Sequence, residues 1–225
     1  IASYTRRNGW FYASNKFSDY FRFGSSDYTD KDDRNFKLAI KTCLIRNSIF
    51  ESQFQSRFLD KSQSYLLKIE LIKKILANQS PKFIVIVRNP LATCWRAAFE
   101  KTGLAQQKIN IEARLEMSVE HWNNCFYEMK KYESDESVNI YRLEDILSNI
   151  NTSIKDIFQF IETDFDDNYL PSKIDKMGIG SMRNERWFPV KTEVNNRRIN
   201  SVPDWAYQYI LTNCNEGIKY FKYDL

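Results

Sequence analysis

The sequence predicts an α/β protein, a three-layer α/β/α fold with a central parallel sheet, and three observations carry that expectation. The apolar run Phe83-Ile84-Val85-Ile86-Val87 breaks at Arg88-Asn89-Pro90 and continues as a helix-like segment through Phe99, as a buried parallel strand does when it hands over to a ligand-facing helix. A second short strand is expected at Val138-Asn139-Ile140-Tyr141-Arg142. Between and after these runs lie segments with helical spacing of apolar residues, and strands alternating with helices imply a parallel sheet covered on both faces.

Taken in chain order, Ile1-Ala2-Ser3-Tyr4 reads as the last part of a strand with nothing before it, so a trimmed or processed N-terminus is expected. Arg6-Arg7-Asn8-Gly9 gives a turn, and Trp10, Phe11, Phe17 and Phe21 supply an apolar stripe suited to a helix. Strand, turn, helix is the plan of a nucleotide site. Residues 24–33, rich in Ser, Gly, Asp and Tyr, read as an exposed loop, either a place for an acceptor or lid or plainly solvated surface. Tyr65-Leu66-Leu67-Lys68 reads as a further strand, with an ambiguous boundary to a helix over residues 69–76. Further helices are expected at residues 90–102, 111–132, 151–162 and 203–220, with no internal repeat and no low-complexity tract.

The bulk composition narrows the function. At 225 residues, with no Pro- or Gly-rich linker, one domain spanning 1–225 is expected. The net charge of +4 is modest and its cations are interleaved with acids, which favours an anionic small ligand over nucleic acid. Cys43, Cys94, Cys125 and Cys214 lie far apart without CxxC spacing, and His121 is the single histidine, so metal-free chemistry is expected. With no stretch approaching the roughly 20 apolar residues of a membrane span and no signal-peptide core, a soluble, cytoplasmic protein is expected. Oligomeric state is left open.

Arg88 places a cation at the carboxyl end of a strand, where open α/β sheets bind ligands, and the following helix start adds N–H donors and a positive dipole end. The alternative for Arg88 is a structural ion pair, and for Arg96, eight residues on, a solvated helix position. Glu144 and Asp145 read as braces of a helix start, and His121, inside a long helix, as structural.

Several of these segments, in this order, resemble the sulfotransferases that use 3'-phosphoadenosine 5'-phosphosulfate (PAPS). Phe83 to Pro90 looks like the family's strand-plus-Arg-Asn-Pro element, whose arginine holds the donor's 3'-phosphate. Asn139-Ile140-Tyr141-Arg142-Leu143-Glu144-Asp145-Ile146-Leu147 is similar to its "LRYEDLL" segment, and the tail Tyr220-Phe221-Lys222-Tyr223 fits as well. The chain departs from the pattern in its first turn, Ser3-Tyr4-Thr5-Arg6-Arg7-Asn8-Gly9-Trp10 against a form such as "SYPRSGNTW". It departs again at Arg96, where the family usually has a serine, and at Leu143, where it has the tyrosine that stacks on adenine in some members. Trp10 or Trp187 is the expected replacement for that ring.

The resemblance implies a P-loop-like sulfotransferase fold and a division of labour. Arg6, Arg7 and the N–H groups around Asn8-Gly9 cradle the 5'-phosphosulfate, and Arg88 with Arg96 clamps the 3'-phosphate. Aligning Leu67-Lys68-Ile69-Glu70 with the family's "IKTH" element puts Lys68 on the bridging oxygen and Glu70 in the place of the general base. Gly178-Ile179-Gly180-Ser181, with Lys176 and Arg183, reads as a reduced basic-glycine loop or as a simple mobile loop. PAPS is then the donor and 3'-phosphoadenosine 5'-phosphate (PAP) the product; the acceptor, a small molecule or glycan, is not legible. Two other functions stand beside this one. A nucleotide kinase or P-loop phosphotransferase shares the anion sites, although GxxxxGK[ST] is absent, and a catalytically silent nucleotide-binding module would explain the altered first turn.

Overall fold

A computed structural model of the protein describes residues 11–47, 58–99, 109–169, 177–178, 187–188 and 193–223. Its contacts group into two compact units, Ile1–Pro81 and Lys82–Leu225. The expectations for the opening strand, for Arg6-Arg7-Asn8-Gly9 and for Trp10 lie outside the described residues.

In the first unit, residues 11–21 run through successive turns with a 3-10 turn at Ser18–Tyr20, where the aromatic stripe had suggested a helix. The rings still form the core, since Phe11, Phe17 and Phe21 are buried. The cause of the turns is local: the buried Ser14 hydroxyl donates to the Phe11 carbonyl at 2.9 Å, one of the side-chain bonds that compete with a continuous helical ladder. The acidic stretch read as a loop is in part a helix start. Helix α1 (Asp30–Asn47) begins after Thr29, whose Oγ1 accepts the Asp32 N–H at 3.1 Å and donates to the Asp32 carboxylate at 2.6 Å. Asp30, Asp32 and Asp33 lie in that first turn, where negative charge complements the helix dipole.

The expected strand at Tyr65–Lys68 is instead part of a 3-10 helix, Gln63–Lys68, which runs into helix α2 (Ile69–Ile75). Leu66, Ile69, Ile72 and Ile75 are all buried, so a spacing of three continues across the junction and gives one helical stripe where a four-residue window suggested β structure.

The second unit carries the strand-to-helix handover much as expected. Strand β1 (Phe83–Val87) pairs in parallel with β2 (Val138–Arg142), in a register that sets Phe83 against Val138 and Val87 against Arg142. Helices α3 (Pro90–Phe99) and α4 (Ile111–Lys130) lie between them in sequence and pack against each other. Helices α5 (Leu143–Ser148) and α6 (Ile150–Phe160) follow β2. A short antiparallel pair, β3 (Met177–Gly178) with β4 (Trp187–Phe188), flanks the basic-glycine segment. Helices α7 (Val194–Ile199), α8 (Asp204–Asn213) and α9 (Asn215–Tyr220) complete the unit. The fold is mixed α/β and mostly helical, and among the described residues its parallel sheet has two strands.

The tail expected as one helix is two, because Asn123 Nδ2 of α4 donates to the Asn213 carbonyl at 2.9 Å where α8 ends. After that break α9 presses close to α4: a Cβ placed on Gly217 would lie 2.5 Å from the Trp122 ring, so only glycine fits. The core of this unit is built from Leu91, Trp95, Trp122, Phe126, Ile210 and Phe221, all buried, with Trp122 and Phe126 stacked at 6.2 Å between centroids. No helix among the described residues is long and apolar enough to cross a membrane.

His121 lies in α4 within 3.7 Å of the Cys125 sulfur, and burial pushes its pKa down to about 4. The folded chain therefore keeps the ring neutral while the unfolded chain, with an ordinary value near 6.5, binds a proton first. Stability is full above that value and falls as pH drops from about 6.5 toward 4. His121→Gln is expected to flatten this part of the pH–stability curve, as read by urea denaturation at half-unit pH steps.

Candidate functional site

The segment after β1 is built by its own residue types. Asn89 is buried and serves as the N-cap of α3, its Oδ1 accepting the Leu91 N–H at 2.9 Å. Pro90 follows at the first helical position, where its missing N–H costs nothing. The Thr93 N–H then closes the first helical bond on the Asn89 carbonyl at 3.0 Å. The helix start was expected to offer N–H groups to an anion; of these, the Leu91 N–H is taken by Asn89 Oδ1. Thr93 adds a buried hydroxyl with no hydrogen-bond partner among the described residues.

Arg88 is held at both ends. Its carbonyl accepts the Trp122 indole N–H of α4 at 3.0 Å, and its Nε–H donates to Asn195 Oδ1 of α7 at 2.6 Å. Asn195, itself buried, donates from Nδ2 to Glu144 Oε1 at 2.5 Å, and the same oxygen accepts the Asn89 N–H at 3.0 Å. Glu144 thus braces the start of α3 as well as standing in the first turn of α5. Beside it Tyr223 is buried, and burial, with the Glu144 carboxylate nearby, raises the phenol's pKa well above its ordinary value. Arg142, one position before α5, is spent on the chain's tail: its Nη1 donates to the Phe221 and Lys222 carbonyls at 2.9 and 3.1 Å, and its guanidinium lies 4.7 Å from the Tyr223 ring centroid. Arg96 lies half-buried in the last turn of α3.

In the first unit, Lys68 stands at the junction of the 3-10 helix and α2, half-buried, with its ammonium 5.4 Å from the Phe23 ring centroid and 6.0 Å from that of Phe21. Burial lowers its pKa, and the two ring faces offset part of the cost of desolvating the cation. Glu70 is exposed in the first turn of α2. Residues two apart on a helical backbone do not face each other, so the structure gives Lys68 and Glu70 separate environments rather than a joined pair.

Trp187 lies in β4, paired with Gly178, while Arg6, Arg7, Asn8, Gly9, Trp10, Lys176, Ile179, Gly180, Ser181 and Arg183 lie outside the described residues. Asn195 was not anticipated from the sequence. It sits in Asn195-Asn196-Arg197-Arg198, an unremarkable polar run, and only the 107-residue contact to Arg88 gives it meaning. Among the described residues no cluster of three or more His, Cys, Asp or Glu side chains is arranged to hold a metal ion. A shallow cavity of about 390 Å³ lined by Tyr141, Arg142, Asp145, Ser153 and Lys222 opens elsewhere in this unit, but its arginine is the one committed to backbone carbonyls.

A family model described as "Sulfotransferase family" matches residues 5–167. Among solved structures, a "Sulfotransferase Domain from the Curacin Biosynthetic Pathway" aligns with a TM-score of 0.50 at 14% identity, covering 89% of this chain and 76% of that one, which is a likeness of fold. No curated protein matches the chain.

Removing the Glu144 carboxylate leaves the Asn89 N–H and the Asn195 amide without their shared acceptor. Glu144→Ala is therefore expected to cost roughly 2–4 kcal/mol, read as a lower urea midpoint at unchanged slope.

Proposed function

The chain belongs to the sulfotransferase family, and from that premise we propose that it transfers a sulfuryl group from PAPS to a hydroxyl or amine of a small-molecule or glycan acceptor. The observation that supports this reading is the setting of Arg88: a half-buried guanidinium at the carboxyl end of β1, directly before the α3 N-terminus, with its backbone tied to Trp122 and its side chain to Asn195. We also take residues 1–225 as one sulfotransferase-like domain with a three-layer fold and a central parallel sheet. The family match supports this by running from residue 5 to 167, across the boundary between the two compact units.

The donor supplies the sulfuryl group and a leaving phosphate whose charge grows as the bond to sulfur lengthens. Sulfuryl transfer resembles phosphoryl transfer in that the protein mainly positions groups and neutralises charge. In this reading Arg88 holds the 3'-phosphate, with Arg96 behind it, and Thr93 offers a hydroxyl in the same segment. Arg6, Arg7 and the backbone around Asn8-Gly9 hold the 5'-phosphosulfate, and Trp10 or Trp187 supplies the adenine-stacking ring that Leu143 lacks. Lys68 neutralises the departing oxygen; its desolvated ammonium interacts more strongly with developing charge than a fully hydrated one. Glu70 accepts the proton of the attacking hydroxyl or amine.

Loss of one charged phosphate contact costs about 1.5–3 kcal/mol, so Arg88→Ala is expected to weaken PAP binding roughly 10- to 100-fold in calorimetric titration, with no dependence on Mg²⁺. An unchanged dissociation constant removes Arg88 from the site, and a preference for Mg·ATP over PAP moves the reading to a kinase. A general base contributes roughly 100- to 10,000-fold, so Glu70→Gln is expected to lower turnover by that order while PAP affinity stays within about twofold. Equal losses in turnover and binding would sink Glu70 as the base.

A further inference from the structure

The polar chain behind Arg88 has a fixed polarity. An arginine only donates, an ionised glutamate only accepts, and an asparagine amide does both from opposite ends. Between Arg88 and Glu144, Asn195 must therefore turn Oδ1 to the guanidinium and Nδ2 to the carboxylate, which is the orientation found at 2.6 and 2.5 Å. Asn195 is only 5% exposed, and Glu144 Oε1 is anchored in turn by the Asn89 N–H at 3.0 Å. The residue closing the bridge is neutral, which matters for charge. A carboxylate at position 195 would pair with Arg88 as an ion pair, lower the positive potential facing an anion, and stand against Glu144. An amide oxygen orients the guanidinium at Nε without adding a negative charge beside it.

We propose that Asn195 is a positioning residue of the nucleotide site, holding the Arg88 guanidinium through a neutral oxygen so that its orientation and charge are kept for the ligand's 3'-phosphate. This rests on the reading of Arg88 as the 3'-phosphate contact. It assigns the selectivity of that contact to a residue 107 positions away in the chain. Asn195 acts through Arg88 and touches no reacting atom. Its signature is therefore discrimination between nucleotides with and without a 3'-phosphate, which a merely structural residue would not alter.

The test is calorimetric titration of PAP and of AMP into the full chain and into Arg88→Ala, Asn195→Ala and Asn195→Asp. Asn195→Ala is expected to weaken PAP binding about 3- to 10-fold and Asn195→Asp more than 10-fold, with AMP affinity within about twofold in both. If Arg88→Ala loses PAP affinity and the Asn195 variants keep it, the proposal is overturned while the reading of Arg88 stands. If an Asn195 variant loses PAP and AMP equally, its role is structural and the proposal fails. If Arg88→Ala itself leaves PAP binding unchanged, the reading of the site fails and takes the proposal with it. Should neither Asn195 variant fold, the wild-type chain still decides: the Arg88 Nε–H, assigned in NMR spectra by its loss in Arg88→Lys, is expected to exchange slowly with solvent, and rapid exchange overturns the proposal.

Discussion

One oxygen atom organises the second unit. Glu144 Oε1 accepts from the Asn89 backbone and from the Asn195 side chain, and so joins the crossover after β1, the crossover after β2 and the late helix α7. A carboxylate largely withdrawn from water is costly unless donors meet it. The donors that meet this one belong to segments 55 and 51 residues away, so the charge is compensated only in the assembled fold. The arrangement specifies which segments lie side by side more than it adds stability, and Arg88 inherits its position from it.

The surroundings of Arg88 in the second unit and of Lys68 in the first differ in kind. Arg88 is held by directional hydrogen bonds from two helices, through Trp122 of α4 and Asn195 of α7, which fix its orientation. Lys68 is surrounded by aromatic faces, which hold a cation without dictating its direction and lower its affinity for a proton.

What the sequence made legible follows from the range of the interactions. The runs Phe83–Val87 and Val138–Arg142 and the helices from Pro90 and Ile111 are written in local pattern: both strands and the Ile111 helix formed within a residue or two of their expected ends, and the Pro90 helix starts where expected and is described to Phe99. Pro90 and Asn89 mark the α3 start unambiguously because capping is a property of adjacent residues. The Tyr65–Lys68 window misled because four residues cannot separate alternation from a spacing of three, and the correct signal lay in Ile69, Ile72 and Ile75 beyond it. The division of the C-terminal helix depends on Asn123, and the importance of Asn195 depends on Arg88; neither partner lies within 80 residues, so no local window contains either cause.

The position of Tyr223 has a consequence for how the protein is made. The phenol is packed beside Glu144, and the carbonyls just before it occupy Arg142, so the surroundings of the turn after β2 include residues about 80 positions further along the chain. A ribosome releases the chain from its N-terminus, and β1, α3, α4 and β2 are exposed for folding while α7 and the segment carrying Tyr223 are still being synthesised. During that interval Arg88 can stand at the end of its strand but lacks Asn195, and Glu144 lacks its neighbouring ring. The Arg88–Asn195 and Asn195–Glu144 bonds therefore form only after the segment carrying α7 has been made, well after the strand-to-helix turn that they brace.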